Sequence, residues 1–503
     1  MLRLETTVLA NCCVELYARV KSGIRIMGCP PISRSRMLMI VYAASVSGAL
    51  LFAAGCSGGG PTGATHATLL ITATNNAKIP VFKLNLEGLT LVASDGKEVP
   101  ALATPQMVEL GSMSGVARPL VAMDVPRGTY TSVKLTYGPS TFVIVGLIGV
   151  PGYSYAIANY DISTPGGQPA TVDLQLGTPL VVSGNAMGIL LDLNIPQSTT
   201  FTPYSFTTPG VGGQTSFHPV CTVLAVPLAA PPSTLLDGKV EDLHGQVTAN
   251  TGNVLTITSG TGASFNFTTS SATVLAGPNG TSAAPVGGFV DVDAALQSDG
   301  SMLATLVQTE ATTQAYNMIG QVIQYTFQRY VQNMGREQQG PNLPNGTGFY
   351  SNNVEFNSTP QFEIAWPGGA APSGLPFTPT LDAASLVPGQ NVDTPSDFLQ
   401  TVGNIIPPTK VVTLEPQTIN ATITGVSSAN GQTAYQATLF ADDAIAMFGA
   451  GQTVVVDVTA ETHTIATSAL TTGSVARFRG LLFNDGGTLR MVATEIEDGV
   501  ADF

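Results

Sequence analysis

Alternating apolar and polar residues recur along most of the chain after residue 66. Residues 67–74 form a short apolar run, and residues 81–92 largely alternate before a turn at Ser94-Asp95-Gly96. Residues 129–137 alternate strictly, with Val133 and Leu135 on one face and Lys134 on the other. A period of two is that of a strand with one buried face, so the pattern predicts β-strands joined by tight turns.

The first group of strands predicts a β-sandwich over residues 67–230, ending at a Pro-rich linker. Three stretches distinguish it: V-P-R-G-T-Y at 125–130, G-I-L-L-D-L-N-I-P at 188–196 and F-H-P-V at 217–220. With these stretches the region resembles prealbumin-like sandwich domains of bacterial extracellular proteins, and an uncharacterised domain common in bacterial lipoproteins. The resemblance implies a fold and an extracytoplasmic location, and no reaction.

Beyond the linker the sequence repeats itself. H-G-Q-V at 244–247 returns as I-G-Q-V at 319–322 and as I-T-G-V at 423–426. The stretch 285–292 is matched with 387–393 and with 449–458, and the Asp-Gly stretch 299–310 with 485–497. Asp-Gly between alternating runs indicates a hairpin, because glycine accepts the positive φ of the turn.

These repeats predict three small β-barrel units: 236–313, 316–414 with an insertion at 330–385, and 417–503. They resemble an uncharacterised, OB-like barrel domain found in tandem on exported bacterial proteins. The fold class predicted for the chain is therefore all-β, a sandwich followed by about three barrel-like repeats. Charged residues make up 10% of the chain, which also disfavours long helices, since these rely on charged side-chain pairs.

Residues 1–56 predict a leader and a lipoprotein signal. Arg34 and Arg36 precede residues 37–54, which carry no charge, and Ala-Ala-Gly leads to Cys56. This is the order of a bacterial lipoprotein signal, so we expect lipid on Cys56. An uncleaved membrane anchor and an ordinary secretory signal remain alternatives. Residues 1–26 fit a miscalled start or a removed leader, and residues 57–66 a flexible tether.

The net charge and the cysteine content limit which binding partners and which cross-links are expected. The formal net charge is −14, and no basic cluster follows Cys56, so a nucleic-acid partner is disfavoured. Cys221 is the one cysteine after Cys56, so the domains are expected to fold without an internal disulfide. Its apolar surroundings indicate a small core residue. The expected partners are the membrane, through the lipid, and a glycan or an envelope protein.

A candidate ligand surface lies in the insertion and consists of aromatic residues. Aromatic side chains beside Asn and Gln are a common means of stacking against sugars, although alternating aromatics are more often core. The candidate residues are Trp366, Tyr350, Phe349 and Tyr330.

Catalytic and metal-ligating patterns are weak. The four histidines lie far apart in the sequence, and the G-x-S-x-G string at 55–59 spans the processing site, so no catalytic residue, metal site or cofactor is predicted. Asp291 and Asp293 share one strand face and are expected to face solvent. Asp192 is expected to be a buried, hydrogen-bonded structural acid.

These patterns predict a non-enzyme of the cell envelope, lipid-anchored at the outer membrane, with a structural, adhesive or ligand-binding role. A carbohydrate-binding or carbohydrate-processing accessory protein that uses the aromatic insertion is the first alternative. A hydrolase with dispersed catalytic residues is the second.

Overall fold

The computed structural model describes residues 63–75, 79–147, 155–201, 215–228, 232, 234–277, 284–311, 317–327, 330–339, 350–395, 405–429, 431–441, 443–448, 451–465 and 468–499. These residues form 29 strands and four helices of three or four residues each, so the predicted all-β class is confirmed. The α-helices are α1 (Ile195–Ser198) and α2 (Ala444–Met447), and the 3₁₀ helices are Pro165–Gly167 and Leu235–Asp237. The predicted leader, signal and Cys56 lie outside the described residues.

The first thirteen strands build a sandwich. They are β1 (Ala64–Thr74), β2 (Val81–Ala93), β3 (Glu98–Leu102), β4 (Gln106–Glu109), β5 (Arg118–Pro126), β6 (Gly128–Tyr137), β7 (Ser140–Leu147), β8 (Tyr155–Ile162), β9 (Ala170–Val182), β10 (Ala186–Asn194), β11 (Thr199–Phe201), β12 (Thr215–Phe217) and β13 (Cys221–Val226). One sheet has the order β13-β10-β1-β5, and the other β8-β7-β2-β6-β9 with β3 and β4 beside β2. β11 and β12 form a separate hairpin.

Strand β1 is covered on both faces. Leu69 and Ile71 belong to the core between the two sheets, whereas Leu70 and Leu190 point the other way and pack with residues of the next unit. This two-sided burial explains why β1 reads as a continuous apolar run and not as an alternating one. β1 begins at Ala64, so His66 lies in the strand, where its Nδ1 is 3.2 Å from the carboxylate of Asp124.

Three barrel-like units of six, five and five strands follow. The first contains β14 (Lys239–Thr251), β15 (Val254–Ser259), β16 (Ser264–Thr268), β17 (Val274–Ala276), β18 (Phe289–Leu296) and β19 (Met302–Ala311). The second contains β20 (Asn317–Phe327), β21 (Tyr330–Gln339), β22 (Tyr350–Ile364), β23 (Asn391–Asp393) and β24 (Ile405–Glu415). The third contains β25 (Gln417–Ala429), β26 (Gln432–Leu439), β27 (Thr453–Thr464), β28 (Val475–Asp485) and β29 (Thr488–Asp498).

All three units share one pairing scheme. In the second and third units the strands close into barrels, β20-β21-β22-β24-β23 and β25-β26-β27-β29-β28. The first unit is a six-stranded sheet, β16-β15-β14-β18-β19-β17, in which β16 also pairs with β19. The third and last strands of each scheme run parallel: β16 with β19, β22 with β24, and β27 with β29. β21 and β22, which lie within the predicted insertion, are barrel strands.

The same tight turn precedes β18, β23 and β28, each of which pairs antiparallel with the first strand of its unit. A glycine of positive φ (87°, 97° and 92°) occupies the turn, and its N–H donates to a carbonyl of the first strand. The N–O distance is 2.7 Å in each unit, for Gly287–Val247, Gly389–Val322 and Gly473–Ile423. The first-strand residue in turn donates to the residue after the glycine, so this turn fixes the equivalence of the three units.

The turn corrects two predicted matches. I-T-G-V at 423–426 was matched with H-G-Q-V at 244–247, but the turn makes Ile423 the counterpart of Val247, so that match is three residues out of register. Residues 449–458 were matched with 285–292, but they lead into β27, which pairs with β26 and β29. The counterpart of β18 is β28, preceded by Gly473. The match of 449–458 was wrong because Val456-Asp457-Val458 repeats the sequence of Val290-Asp291-Val292, and so short a run does not tell one strand of a barrel from another.

We predict that alanine at the turn glycines lowers stability, and more at Gly389 than at Gly473. An added Cβ on Gly473 meets no atom within 4 Å, so its cost is that of the positive φ, about 1–2 kcal/mol. On Gly389 it would also lie 2.9 Å from Cγ2 of Ile445. Denaturant unfolding of both variants measures the difference.

Gly128→Ala is the matched control for these variants. Gly128 has no positive φ and open space around a Cβ, so its replacement is expected to leave the free energy of unfolding nearly unchanged. Equal stability of all three variants would contradict the assigned role of the turn.

Candidate functional site

A buried group of charged side chains lies where the sandwich and the three barrel units meet. It draws on β5, β14, β18, β19, β23, β24 and β28, and its residues span positions 118 to 479. Its members are Arg118, Asp242, His244, Asp291, Glu310, Asp393, Glu415 and Arg479, all less than 9% exposed. We call this group the charged junction.

Asp242 lies where three of the units touch. Its carboxylate accepts from Arg118 of the sandwich at 2.6 Å and is 3.4 Å from Arg479 of the third barrel. A bulge in β14 between Val240 and Leu243 shifts the ladder here, and Asp242 has φ +59°, which no other described non-glycine residue shares in sign. Aspartate tolerates this conformation better than most residues. Burial acts to raise the pKa of Asp242, but Arg118, His244 and Arg479 hold it below its ordinary value.

His244 bridges two carboxylates. Its Nε2 lies 3.2 Å from Asp242 and its Nδ1 lies 2.8 Å from Glu310. Carboxylates accept hydrogen bonds, so both ring nitrogens donate and the imidazole is positively charged. Burial acts to lower the pKa of His244, but Asp242, Asp291 and Glu310 raise it well above its ordinary value.

Glu310 reaches the junction through a β-bulge. Thr309 pairs with Val290 and Ala311 with Phe289, which leaves Glu310 as the extra residue of β19. One carboxylate oxygen meets His244, and the other accepts from Nδ2 of Asn317 at 2.5 Å. The side chain is therefore held at both oxygens.

Asp393 and Glu415 contrast with Glu310. They are 0% and 1% exposed, and no donor makes a well-aligned hydrogen bond to either carboxylate, although the side chains of Glu310 and Asn317 lie close enough to Asp393 to act on its pKa. Burial raises the pKa of both groups well above the ordinary values, and the neighbouring Glu310 raises them further, against the opposing effect of His244. One oxygen of Asp291 is likewise without a donor, and burial raises its pKa too.

The repeat explains why these acids meet. His244 pairs with Asp291 in the first unit as Ile319 pairs with Asp393 in the second. Glu310 follows the partner of Val290, and Glu415 follows Leu414, the partner of Val392. The Asp291–Glu310 pair and the Asp393–Glu415 pair are thus equivalent. In the third unit Arg477 occupies the aspartate position and forms an ion pair with Glu497.

Two sets of side chains have ligand atoms within 4.8 Å of one another: Asp242, His244 and Asp291, and Glu310, Asp393 and Glu415. Both nitrogens of His244 are engaged by carboxylates, so the first set offers a cation no free imidazole nitrogen. The second set offers only oxygens, and most of these lack donors. Carboxylate oxygens suit hard cations such as Ca²⁺ and Mg²⁺.

The junction has little space for a substrate. A cavity of about 20 Å³, roughly the space of one water molecule, is lined by Asp242, Asp291, Asp293 and Trp366 among others. A second cavity, of about 50 Å³, lies between Arg118, His244 and the sandwich. Pockets for organic ligands are typically about 300–1,000 Å³.

The predicted aromatic surface is only partly described. Trp366 is half-buried and stacks on Phe483 of the third barrel, with ring centroids 5.8 Å apart. Tyr330 pairs with Glu355 and Tyr350 with Gly335, at opposite ends of the β21–β22 ladder and therefore about 17 Å apart along it. Phe349 lies outside the described residues. A sugar surface at these four residues stays a prediction.

The charged junction was not predicted from the sequence, and the predicted exposure of its Asp291 and of the neighbouring Asp293 was wrong. Asp291 and Asp293 were expected to face solvent, which is wrong: Asp291 is 6% exposed and Asp293 is half-buried. Their strand face does point away from the barrel core, but the neighbouring units cover it. The equivalence of Asp291 and Asp393 in the repeat was the one sequence signal for the site.

Two other residue predictions are confirmed only in part, because Asp192 and Cys221 were expected to be buried and both are half-buried. Asp192 accepts from Thr74 at 3.1 Å, and burial raises its pKa. Cys221 packs against the sandwich core, and burial raises the pKa of its thiol to about 12. In the described part of the chain, no helix is both long enough and apolar enough to cross a bilayer.

We predict that Asp242→Asn lowers the free energy of unfolding by about 3–5 kcal/mol, because it removes the buried carboxylate that pairs with Arg118 and with Arg479. Asparagine accepts the positive φ, so the backbone is not the cause of the loss. Denaturant unfolding measures it. Glu98→Gln is the control: it breaks the exposed pair with Lys134, and exposed ion pairs contribute little to stability. Similar losses in both variants would contradict the assigned role of Asp242.

We also predict that stability falls as the pH rises from 5 to 8. Burial, and secondly the nearby Glu241, raise the pKa of Asp293 and of Glu495 to about 7 against the opposing effect of Lys239. Between their unfolded values, about 4, and 7 the folded state binds more protons than the unfolded state, so stability decreases as pH rises. The charged groups that act on these two acids are Lys239, Glu241, Asp242, Arg477 and Arg479.

Urea unfolding in EDTA at pH 5, 6, 7 and 8 tests this pH dependence. Asp293→Asn is expected to flatten the slope, whereas Asp173→Asn, at an exposed position, leaves it unchanged. A stability that rises over this range would be the opposite of the expected sign.

We compared the chain with protein-family models and with curated proteins. No family model matches it, and no curated protein matches it either. The resemblance to lipoprotein sandwich domains and to OB-like barrels therefore stays a prediction, and function is inferred from the chain's own residues.

Proposed function

We propose that this chain is a lipid-anchored cell-envelope protein with a structural, adhesive or ligand-binding role and without catalysis. The anchor is proposed from the order of Arg34, Arg36, the uncharged run and Cys56. A lipoprotein cysteine carries more than one acyl chain, which gives stable membrane attachment.

The enclosure of the charged junction is the observation that carries the non-catalytic role. Its side chains are the strongest concentration of titratable groups among the described residues, yet they face one another across unit boundaries. A cavity of about 20 Å³ beside them leaves no space for an organic substrate. Asp242 and His244 are engaged on several sides by charged partners, so their chemistry supports the assembly of the units.

The packing of Trp366 does not favour the carbohydrate alternative. Its ring stacks on Phe483, and Phe377 meets the same Phe483 ring edge-on at 5.5 Å. Arg490 lies over the Phe377 ring at 4.8 Å. This aromatic group joins the second unit to the third, which is a packing role.

We predict that Cys56→Ser transfers the protein from the membrane fraction to the soluble fraction, because the acyl chains can no longer be attached. Cell fractionation with mass spectrometry of the N-terminal peptide measures this. Cys221→Ser is the matched control: it also removes one thiol, but at the sandwich core, and is expected to remain in the membrane fraction.

Unchanged membrane association of the Cys56→Ser protein would defeat the anchor proposal. The absence of catalysis is tested separately with the purified protein on a panel of ester, glycoside and peptide substrates. Turnover that Asp393→Asn or Glu415→Gln abolishes would contradict the non-catalytic role and leave the anchor untouched.

A further inference from the structure

We propose that Glu310, Asp393 and Glu415 bind one hard divalent cation, with calcium as the first candidate. The site lies at the boundary between the first and second barrel units. It is independent of the lipid anchor and adds a metal-binding function to the charged junction.

The geometry of the three carboxylates fits one ion. One oxygen from each lies within 4.8 Å of the others. Calcium–oxygen distances are about 2.3–2.6 Å, so two ligands of one ion lie at most about 5 Å apart. The three residues are between 0% and 1% exposed, so an ion among them is shielded from water.

The unpartnered oxygens provide a second observation. Both oxygens of Asp393, both of Glu415 and Oδ1 of Asn317 lack a well-aligned hydrogen-bond donor although they are buried. Asn317 is directed to the same place, because its Nδ2 donates to Glu310 at 2.5 Å. Buried polar atoms without partners are rare in folded proteins, and one cation would satisfy several of these together.

The local charge also requires a counter-ion. His244 is the positive group that acts on Asp393 and on Glu415, but its two nitrogens face Asp242 and Glu310. The charges of Asp393 and Glu415 are then balanced either by protons or by a bound cation. The two states differ in metal content and in their response to added calcium.

The origin of the ligands predicts what the cation does. Glu310 comes from β19 of the first unit, whereas Asp393 and Glu415 come from β23 and β24 of the second. A cation shared by them joins the two units. A ligand at 100 times its Kd that binds only the folded state favours folding by about 100-fold, so calcium is expected to raise the Tm.

The experiment uses the full-length protein after treatment with EDTA and dialysis. Isothermal titration calorimetry with CaCl₂, and separately with MgCl₂, measures stoichiometry and Kd, and thermal unfolding is followed with and without each salt. We expect one calcium per chain and a higher Tm in calcium. The double variant Asp393→Asn/Glu415→Gln is expected to lose both responses.

The variants are chosen so that a loss of calcium binding cannot be explained by a failure to fold. Amides have the shape of protonated carboxyls, so the double variant is expected to fold without metal as well as the EDTA-treated parent does. Glu415→Gln alone is a second variant, expected to weaken calcium binding by at least tenfold. The matched control, Asp173→Asn/Glu461→Gln, removes two exposed acids and is expected to bind calcium as the parent does.

Terbium gives a further readout of binding. Trp366 is the only tryptophan of the chain and lines the cavity that Asp291 also lines. Terbium bound at the proposed site is expected to emit on excitation of Trp366, and calcium is expected to displace it.

Two results would overturn the proposal. One is the absence of binding and of any Tm change in 10 mM calcium or magnesium, which would mean that protons balance the junction. The other is calcium binding that the double variant retains at full affinity, which would place the ion elsewhere.

Discussion

The carboxylate of Asp242 is the contact on which the assembly of the units depends. Arg118 from the sandwich, His244 from the same strand and Arg479 from the third barrel all converge on it. A buried anion is costly unless it is paired and hydrogen-bonded. One side chain is therefore satisfied only when three parts of the chain are in place together, and the left-handed backbone of Asp242 is consistent with that demand.

The repeated fold of the units explains why buried carboxylates collect at this junction and why they repel one another there. The same turn and register in each unit place Asp291 and Asp393 at equivalent positions, so the contact of the first two units brings like charges together. The third unit carries Arg477 at that position. Its contact with the sandwich is accordingly one of opposite charges and hydrogen bonds, since Arg477 donates to Ser114 at 3.0 Å.

Alternation in the sequence predicted strands well, because the side chains of β2 and β6 report which face is buried. It did not predict what covers the other face, so Asp291 and Asp293 were taken as exposed. His244 was missed for a related reason. Its partner Glu310 lies 66 residues away in the sequence. Contacts at that separation depend on how the strands and units pack, and the spacing of residues along the sequence does not predict this packing. Residues 449–458, which lead into β27, were matched with the wrong strand because the strands of a barrel have similar short patterns of valine and aspartate.

Because charged residues are scarce elsewhere in the chain, the charged junction has a large effect on how the units pack. Exposed strands pair hydroxyl with hydroxyl across the ladder, as in Thr136–Thr171, Thr200–Ser216 and Thr258–Ser264, at 2.7–2.8 Å. Such hydroxyl pairs stabilise a sheet, but they are similar in every sheet. They therefore do not determine which units pack against each other. Charged pairs do select, because a wrong partner leaves a buried charge unpaired. In a chain with 10% charged residues, placing them between the units therefore specifies the arrangement, while the hydroxyl surfaces remain free to face solvent or a partner.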